Sequence, residues 1–362
     1  MRFRQTLTAF LALSTALTPA VAQTTASSFS VNPNGGRPEI HNVEEMRKMG
    51  GYTAPGARAY ADMAAEAGGK LWPVTLYYRC QAVRTRKPVR AAMPKPIAVF
   101  DNVYSIGTGE NNIWAIDTKD GIILLDALTT EEDAKNVIVK NMQTLGLDPK
   151  RIRIILITHN HLDHFGGAAY LKALSGAKLA MSEADWTAEV KWGTLPVKAA
   201  DDFYLTDGQT ITLGDQTLTV LLTPGHTPGT VSLLFPVKDK GVPHMASLFG
   251  GQGSPRDVAS LLEFRRSLNH FADYTDLMQA DVVLSNHTVG DDGLVRVAAL
   301  QKRKAGDPNP YVVGREGVVR YDAEWRACLS ADIDEAVFKA APGSLNPILS
   351  GQPPKQVVET AK

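Results

Sequence analysis

The chain has 362 residues, with 38 lysines and arginines against 38 aspartates and glutamates, 44% apolar residues and two cysteines. That length fits one large domain with extensions. A formal net charge of zero and the lack of a basic stripe argue against a nucleic-acid partner, and no run is long enough to span a bilayer.

Arg2 and Arg4, the apolar run Leu7 to Leu17 and the small-residue site Ala20-Val21-Ala22 predict a signal peptide over 1–22, and hence a periplasmic or secreted protein. In an exported protein Cys80 and Cys328 are candidates for a disulfide, with free thiols as the alternative. Residues 23–97 read as a weakly patterned N-terminal extension. Asn32 to Pro38 is loop chemistry, and Val43 to Met49 and Ala57 to Ala67 predict short helices. The basic stretch Arg79 to Arg90 reads as a solvated strand edge or linker; the alternative is a flap that attracts anionic substrates.

Regular structure is expected over 98–341. Val99 to Ile106, Asn112 to Asp117 and Gly121 to Asp126 predict three strands, with Lys119-Asp120-Gly121 as a hairpin turn. Thr129 to Glu132 resembles a capping box. The helix it opens places Ala134, Val137, Ile138, Met142 and Leu145 on one face and stops at Gly146. Arg151 to Ile157 predicts a buried strand. A helix through Leu174 and a strand at Ala177 to Ala180 follow. Asp207 to Leu222 predicts two strands joined by Gly214-Asp215, and Val231 to Pro236, Met245 to Phe249 and Val282 to Ser285 predict three more. Val258 to Tyr274 and Asp322 to Ala341 predict helices, and 342–362 a loose tail. Mixed strands with interspersed helices, in two successive halves, suggest two packed sheets with helices outside.

Thr158-His159-Asn160-His161-Leu162-Asp163-His164 sets four metal-binding side chains on a loop at the end of a strand. Crowded imidazoles and a carboxylate repel when charged and are costly to desolvate. A divalent cation resolves both problems, and zinc suits this donor set best. A solvated polar loop is the plainer alternative. His226, inside Thr223-Pro224-Gly225-His226-Thr227-Pro228-Gly229, and His287 also follow apolar strands. The other three of the eight histidines, His41, His244 and His270, lack this context and read as ordinary.

These motifs, together with Asp126 after the hairpin, resemble the metallo-β-lactamase superfamily over roughly residues 98–335. The resemblance implies an α+β fold, an αββα sandwich of two mixed sheets with helices on the outer faces. Most of its hydrolases carry a bridging Asp after the third histidine. Here the stretch is Ser247-Leu248-Phe249-Gly250-Gly251-Gln252-Gly253, without Asp or Cys. That absence is similar to the third subclass of class B β-lactamases, although Gly250-Gly251 stands where those enzymes usually carry a serine.

By resemblance, two zinc ions per chain are expected: one on His159, His161 and His226, the other on Asp163, His164 and His287. The implied reaction is opening of a β-lactam ring by a metal-bound hydroxide. A lactone, ester or thioester is the alternative substrate, and a binding protein without catalysis is a third reading. Asp163 is a candidate proton relay or a ligand only. Asp126 is expected to accept from a ligand histidine, with a capping role as the alternative. Gly250, Gly251, Ser254 and Arg256 are candidates to hold the carboxylate of a small-molecule substrate. A tight loop needing positive φ is the plainer reading of the glycines. Trp186 and Trp192 are candidates to line the cleft, with packing as their plainer role.

Overall fold

The computed structural model describes residues 36–80 and 93–340. The expected signal peptide, the basic residues 81–90 and the tail 342–362 lie outside the described residues.

The chain first forms three helices: α1 (Val43–Met49), α2 (Pro55–Gly68) and α3 (Pro73–Arg79). Asn42 caps α1 by accepting from the Glu45 N–H, and prolines at their first turns open α2 and α3. Ala57, Ala61, Ala64 and Ala65 are buried on α2 and share a core with Ile40, Cys80, Cys328 and Ala331. Cys80 and Cys328 form a disulfide. Arg79 departs from the solvated reading of its stretch. It is 1% exposed, with its guanidinium over the rings of Trp325 (3.6 Å) and Tyr321 (4.1 Å).

Seven strands then build the first sheet in chain order: β1 (Ile97–Ala98), β2 (Val103–Ser105), β3 (Trp114–Thr118), β4 (Gly121–Leu125), β5 (Ile152–Leu156), β6 (Lys178–Ser182) and β7 (Phe203–Leu205). The pairings from β1 to β4 are antiparallel and those from β4 to β7 parallel. The single strand expected over Val99 to Ile106 is a small hairpin, because the backbone reverses where Val99 and Phe100 both donate to the Val103 carbonyl. Between β4 and β5 the chain is helical as α4 (Glu131–Asp133), a π-helical stretch (Ala134–Val139) and α5 (Lys140–Thr144). Thr130 caps it by accepting from the Asp133 N–H, and Ala134, Ile138 and Met142 are buried against the sheet. Two helices, α6 (Leu162–Phe165) and α7 (Ala168–Ser175), link β5 to β6, and α8 (Glu183–Thr187) follows β6.

The second sheet runs in the order β12-β11-β10-β9-β8, from β8 (Thr210–Leu213), β9 (Gln216–Leu222), β10 (Val231–Asp239), β11 (Val242–Phe249) and β12 (Val282–Ser285). Only the β11–β12 pairing is parallel. Helices α9 (Val258–Leu277), α10 (Gly293–Gln301) and α11 (Gly314–Ala340) complete the chain. Helix α11 begins eight residues before the expected Asp322; glycines and the β-branched pair Val318-Val319 weaken the helical signal there. Trp114, Ile116, Leu125 and Leu156 of the first sheet meet Val220, Leu233, Phe235, Leu248 and Leu284 of the second in one buried core. Phe264, Phe271 and Trp325 cover the outer face of the second sheet. The architecture is the expected αββα sandwich of two mixed sheets.

One carboxyl in this packing gives the fold a pH dependence. Asp322 on α11 is buried and accepts from the Thr275 hydroxyl of α9 at 2.8 Å. Burial pushes its carboxyl up to about 7, with Thr275 and Arg326 only partly offsetting it. Glu324, pushed up to about 8 by burial, acts in the same direction. A carboxyl raised above its unfolded value of about 4 adds stability below that value and loses it as pH rises through the folded value. The melting temperature is therefore expected to fall between pH 5 and 8 more steeply in the wild type than in Asp322→Asn. Parallel melting curves for the two proteins would contradict this.

Candidate active site

The site forms where strands of both sheets end. After β5, Thr158 leads into His159; His161 precedes α6, which carries Asp163 and His164. His226 lies between β9 and β10, and His287 follows β12. His159 Nε2 lies 3.1 Å from His161 Nδ1 and 3.2 Å from His226 Nε2. His164 Nε2 lies 3.1 Å from His287 Nε2 and 3.4 Å from Asp163 Oδ2. Two donor sets result, His159 with His161 and His226, and Asp163 with His164 and His287.

The surrounding bonds decide which ring nitrogens carry protons. A carbonyl and a carboxylate only accept, so His226 Nδ1–H donates to Gly253 O (2.7 Å) and His164 Nδ1–H to Asp126 Oδ2 (2.7 Å). The Thr158 hydroxyl donates to Asp126 Oδ2 and accepts from Asn286 Nδ2, each at 2.9 Å. Its remaining lone pair accepts from His159 Nδ1, 3.1 Å away. The Nε2 atoms of His159 and His226 thereby face each other, and that of His164 faces His287 Nε2. Unprotonated nitrogens cannot satisfy each other by hydrogen bonds, so converging lone pairs at these distances fit a bound cation.

Charge points the same way. Burial and neighbouring imidazoles hold His159 well below the usual histidine range. Burial is also the main cause that lowers His226 to about 3 and His287 to about 4. His164 is the exception: burial works to lower it, but Asp126 and Asp163 outweigh burial and push it up to about 10. Asp163 is held well below the carboxylate range; burial opposes this, and His164, His287 and the Asn111 amide outweigh it.

Asp126 is fully buried at φ +64°, a left-handed conformation that aspartate tolerates better than most residues. It also accepts the Thr158 N–H at 2.7 Å, so one carboxylate fixes both the motif backbone and a motif histidine.

Three supporting residues were not picked out from the sequence. Asn111 donates to Asp163 Oδ2 at 2.9 Å. Asp185 accepts from Asn160 N, Gly229 N and the Thr227 hydroxyl, which ties the His161 loop to the His226 loop. Asn286 donates to Thr158 and to Gly250 O. Their polar side chains look ordinary in the sequence, because their partners are distant along the chain.

The substrate candidates fare differently. The Gly250 N–H is used on Ser232 Oγ at 3.1 Å, so it does not offer itself to a carboxylate. A Cβ on Gly250 would lie 1.8 Å from Val231 O, and one on Gly251 would lie 2.5 Å from His226 Cβ. Neither residue has positive φ. Close approach, and not backbone conformation, demands these glycines. Ser254 is half-buried and Arg256 exposed on the chain that continues from Gly253. Trp186 is a packing residue, its indole N–H donating to Pro196 O at 2.9 Å. Trp192 is 48% exposed beside Gly193, which lies against Leu162 of the histidine motif. His41, His244 and His270 sit away from the site on Glu45, Asp281 and Asp207.

The αββα sandwich thus brings together, at its strand ends, two groups of three side chains that could each hold a metal ion. The profile of the "Metallo-beta-lactamase superfamily" matches residues 106–239. Among solved structures, the chain is similar to BJP-1, a subclass B3 metallo-β-lactamase of Bradyrhizobium japonicum. The two are 29% identical with a TM-score of 0.57, over 69% of this chain and 96% of that one. A Cronobacter sakazakii metallo-β-lactamase described by its HARLDQ motif is 28% identical with a TM-score of 0.55, over 66% and 93%. Hydroxyacylglutathione hydrolases are also similar. The one of Acidiphilium cryptum is 41% identical over 85 residues, 24% of this chain and 31% of that protein. The one of Idiomarina loihiensis is 36% identical over 129 residues, 35% and 44%. The chain thus spans less than half the length of these two curated relatives. Residues 106–239 thus carry a domain of the metallo-β-lactamase superfamily.

Proposed function

We propose that the chain is an exported two-zinc hydrolase that opens β-lactam rings. One observation carries this reading: the second donor set, Asp163, His164 and His287, gathers without a carboxylate from the segment Ser247 to Gly253. Gln252, the longest polar side chain there, is turned away from the donors. It donates to Phe249 O and accepts from Arg79. Similarity to a subclass B3 enzyme over nearly its whole length supports the same choice. The disulfide supports export.

His159, His161 and His226 would hold one ion, and Asp163, His164 and His287 the other. When bound, such ions activate water and polarise the scissile carbonyl. The protein's part is to hold the donors aimed. Gly253 O, Asp126 and Thr158 do this for His226, His164 and His159. The Asn111 amide and the neighbouring histidines favour the ionised form of Asp163, which suits a ligand better than a proton carrier. Ser254 and Arg256 are the groups assigned to a substrate carboxylate.

A second reading, thioester hydrolysis, is favoured by the local identity to hydroxyacylglutathione hydrolases. Zinc-loaded protein starting at Gln23 is to be assayed on a penicillin, a cephalosporin, a carbapenem and a hydroxyacyl thioester. Turnover of any β-lactam is the expected result. Thioester turnover alone would select the second reading, and turnover of none would contradict both.

A further inference from the structure

In the N-terminal segment, Arg37, 7% exposed, carries its side chain to the loops that hold the second donor set. Its guanidinium donates to Thr288 Oγ1 (2.7 Å), Gly109 O (2.8 Å) and Glu110 Oε2 (3.3 Å). Thr288 follows His287 directly, and Gly109 and Glu110 directly precede Asn111. The same two loops are stitched by the Thr288 hydroxyl to Gly109 O (2.7 Å), the Thr288 N–H to Glu110 O (2.9 Å) and a bridge between Asn111 and His287.

These loops set two of the three donors of the second group. Asn111 Nδ2 donates to Asp163 Oδ2 at 2.9 Å and lies 3.4 Å from His287 Nδ1. Neighbours that hold a ligand carboxylate and border a ligand imidazole fix the orientation of both. No comparable bond links Arg37 to His159, His161 or His226 among the described residues. The arginine is itself anchored: three residues on, Ile40 is buried in the α2–α11 core and its N–H donates to Pro73 O at 2.9 Å. A planar guanidinium that spans three acceptors is a task lysine cannot reproduce.

We propose that Arg37 is a positioning residue for the second metal: it clamps the Gly109–Asn111 loop to the His287–Thr288 loop and so sets Asp163 and His287 for binding. This rests on the two-metal reading above.

The test is titration of metal-stripped, full-length protein with cobalt(II) alone, followed by visible absorption, with melting temperatures measured in parallel. Wild type is expected to take two equivalents. Arg37→Ala is expected to keep the first affinity within about 2-fold and to weaken the second by about 10- to 100-fold, the range typical of partners that orient metal ligands. Arg37→Lys is expected to recover only part of that loss. Unchanged affinities in Arg37→Ala, or both affinities falling together with the melting temperature, would overturn the positioning role. Should Arg37→Ala fail to fold, Thr288→Val removes only the shared hydroxyl. It is expected to weaken the second affinity selectively, and no change there would equally overturn the proposal. A wild type that binds fewer than two equivalents would overturn the two-metal reading itself.

Discussion

His161→Ala is expected to cut hydrolysis by about 1,000-fold while leaving the fold in place. His161 is exposed, and its Nδ1 faces His159 Nε2 at the mouth of the first donor set. Losing it removes one of three donors there. Metal polarisation supplies several kcal/mol of transition-state stabilisation, and about 4 kcal/mol corresponds to roughly 1,000-fold in rate. Little apolar area is lost with an exposed ring, so the melting temperature of the metal-free variant should match that of the metal-free wild type. Steady-state kinetics and a thermal melt on the same preparation check both halves. Wild-type turnover would remove His161 from the catalytic centre.

Asp126→Ala is expected to have the opposite signature, with stability and metal binding failing together. The carboxylate is fully buried and accepts from Thr158 N, the Thr158 hydroxyl and His164 Nδ1. Alanine leaves three buried donors without an acceptor. Breaking a buried charged pair costs about 3–5 kcal/mol, a large share of the stability of an ordinary domain. The affinity of the second site should fall as well, by about 10- to 100-fold, because His164 loses the partner that fixes its tautomer. Asp126→Asn keeps the volume but turns an amide N–H toward a donor, so an intermediate loss is expected. Urea denaturation and metal titration provide the readouts. A stable Asp126→Ala protein with both metal affinities intact is the result that would refute this role.

How much of this was legible in the sequence follows from where the information sits. The histidine run, the Thr-Pro-Gly-His loop and the isolated His287 are local signals, each at the end of an apolar strand, and the fold brings them together. The αββα arrangement was legible because strand and helix periodicities alternate clearly from Trp114 to Ser285. Elements with weak local signals were not: α3, α8, β7 and α10 are short, and α10 opens at Asp292 in a left-handed conformation without a side-chain cap.

The supporting residues were the least legible. Asn111, Asp185 and Asn286 act on partners reached only through the tertiary fold. Arg37 lies among loop residues, 251 positions from Thr288. Arg79 misled for the same reason. It was read with the basic residues that follow it, yet the disulfide and α11 draw it into an aromatic pocket. The sequence reading of Gly250 and Gly251 as a turn needing positive φ does not hold; the demand comes from Val231 and His226, which only the packed sheets place beside them.

The most direct test of the central claim is to measure zinc content and penicillin hydrolysis on one sample of the protein: as zinc-loaded, after complete removal of metal by a chelator, and after zinc is restored. Two zinc ions per chain are expected, with hydrolysis lost on removal and regained on restoration. Hydrolysis that persists in fully metal-free protein, or full hydrolysis with neither donor set occupied, would contradict the claim that these six side chains hold the catalytic metals.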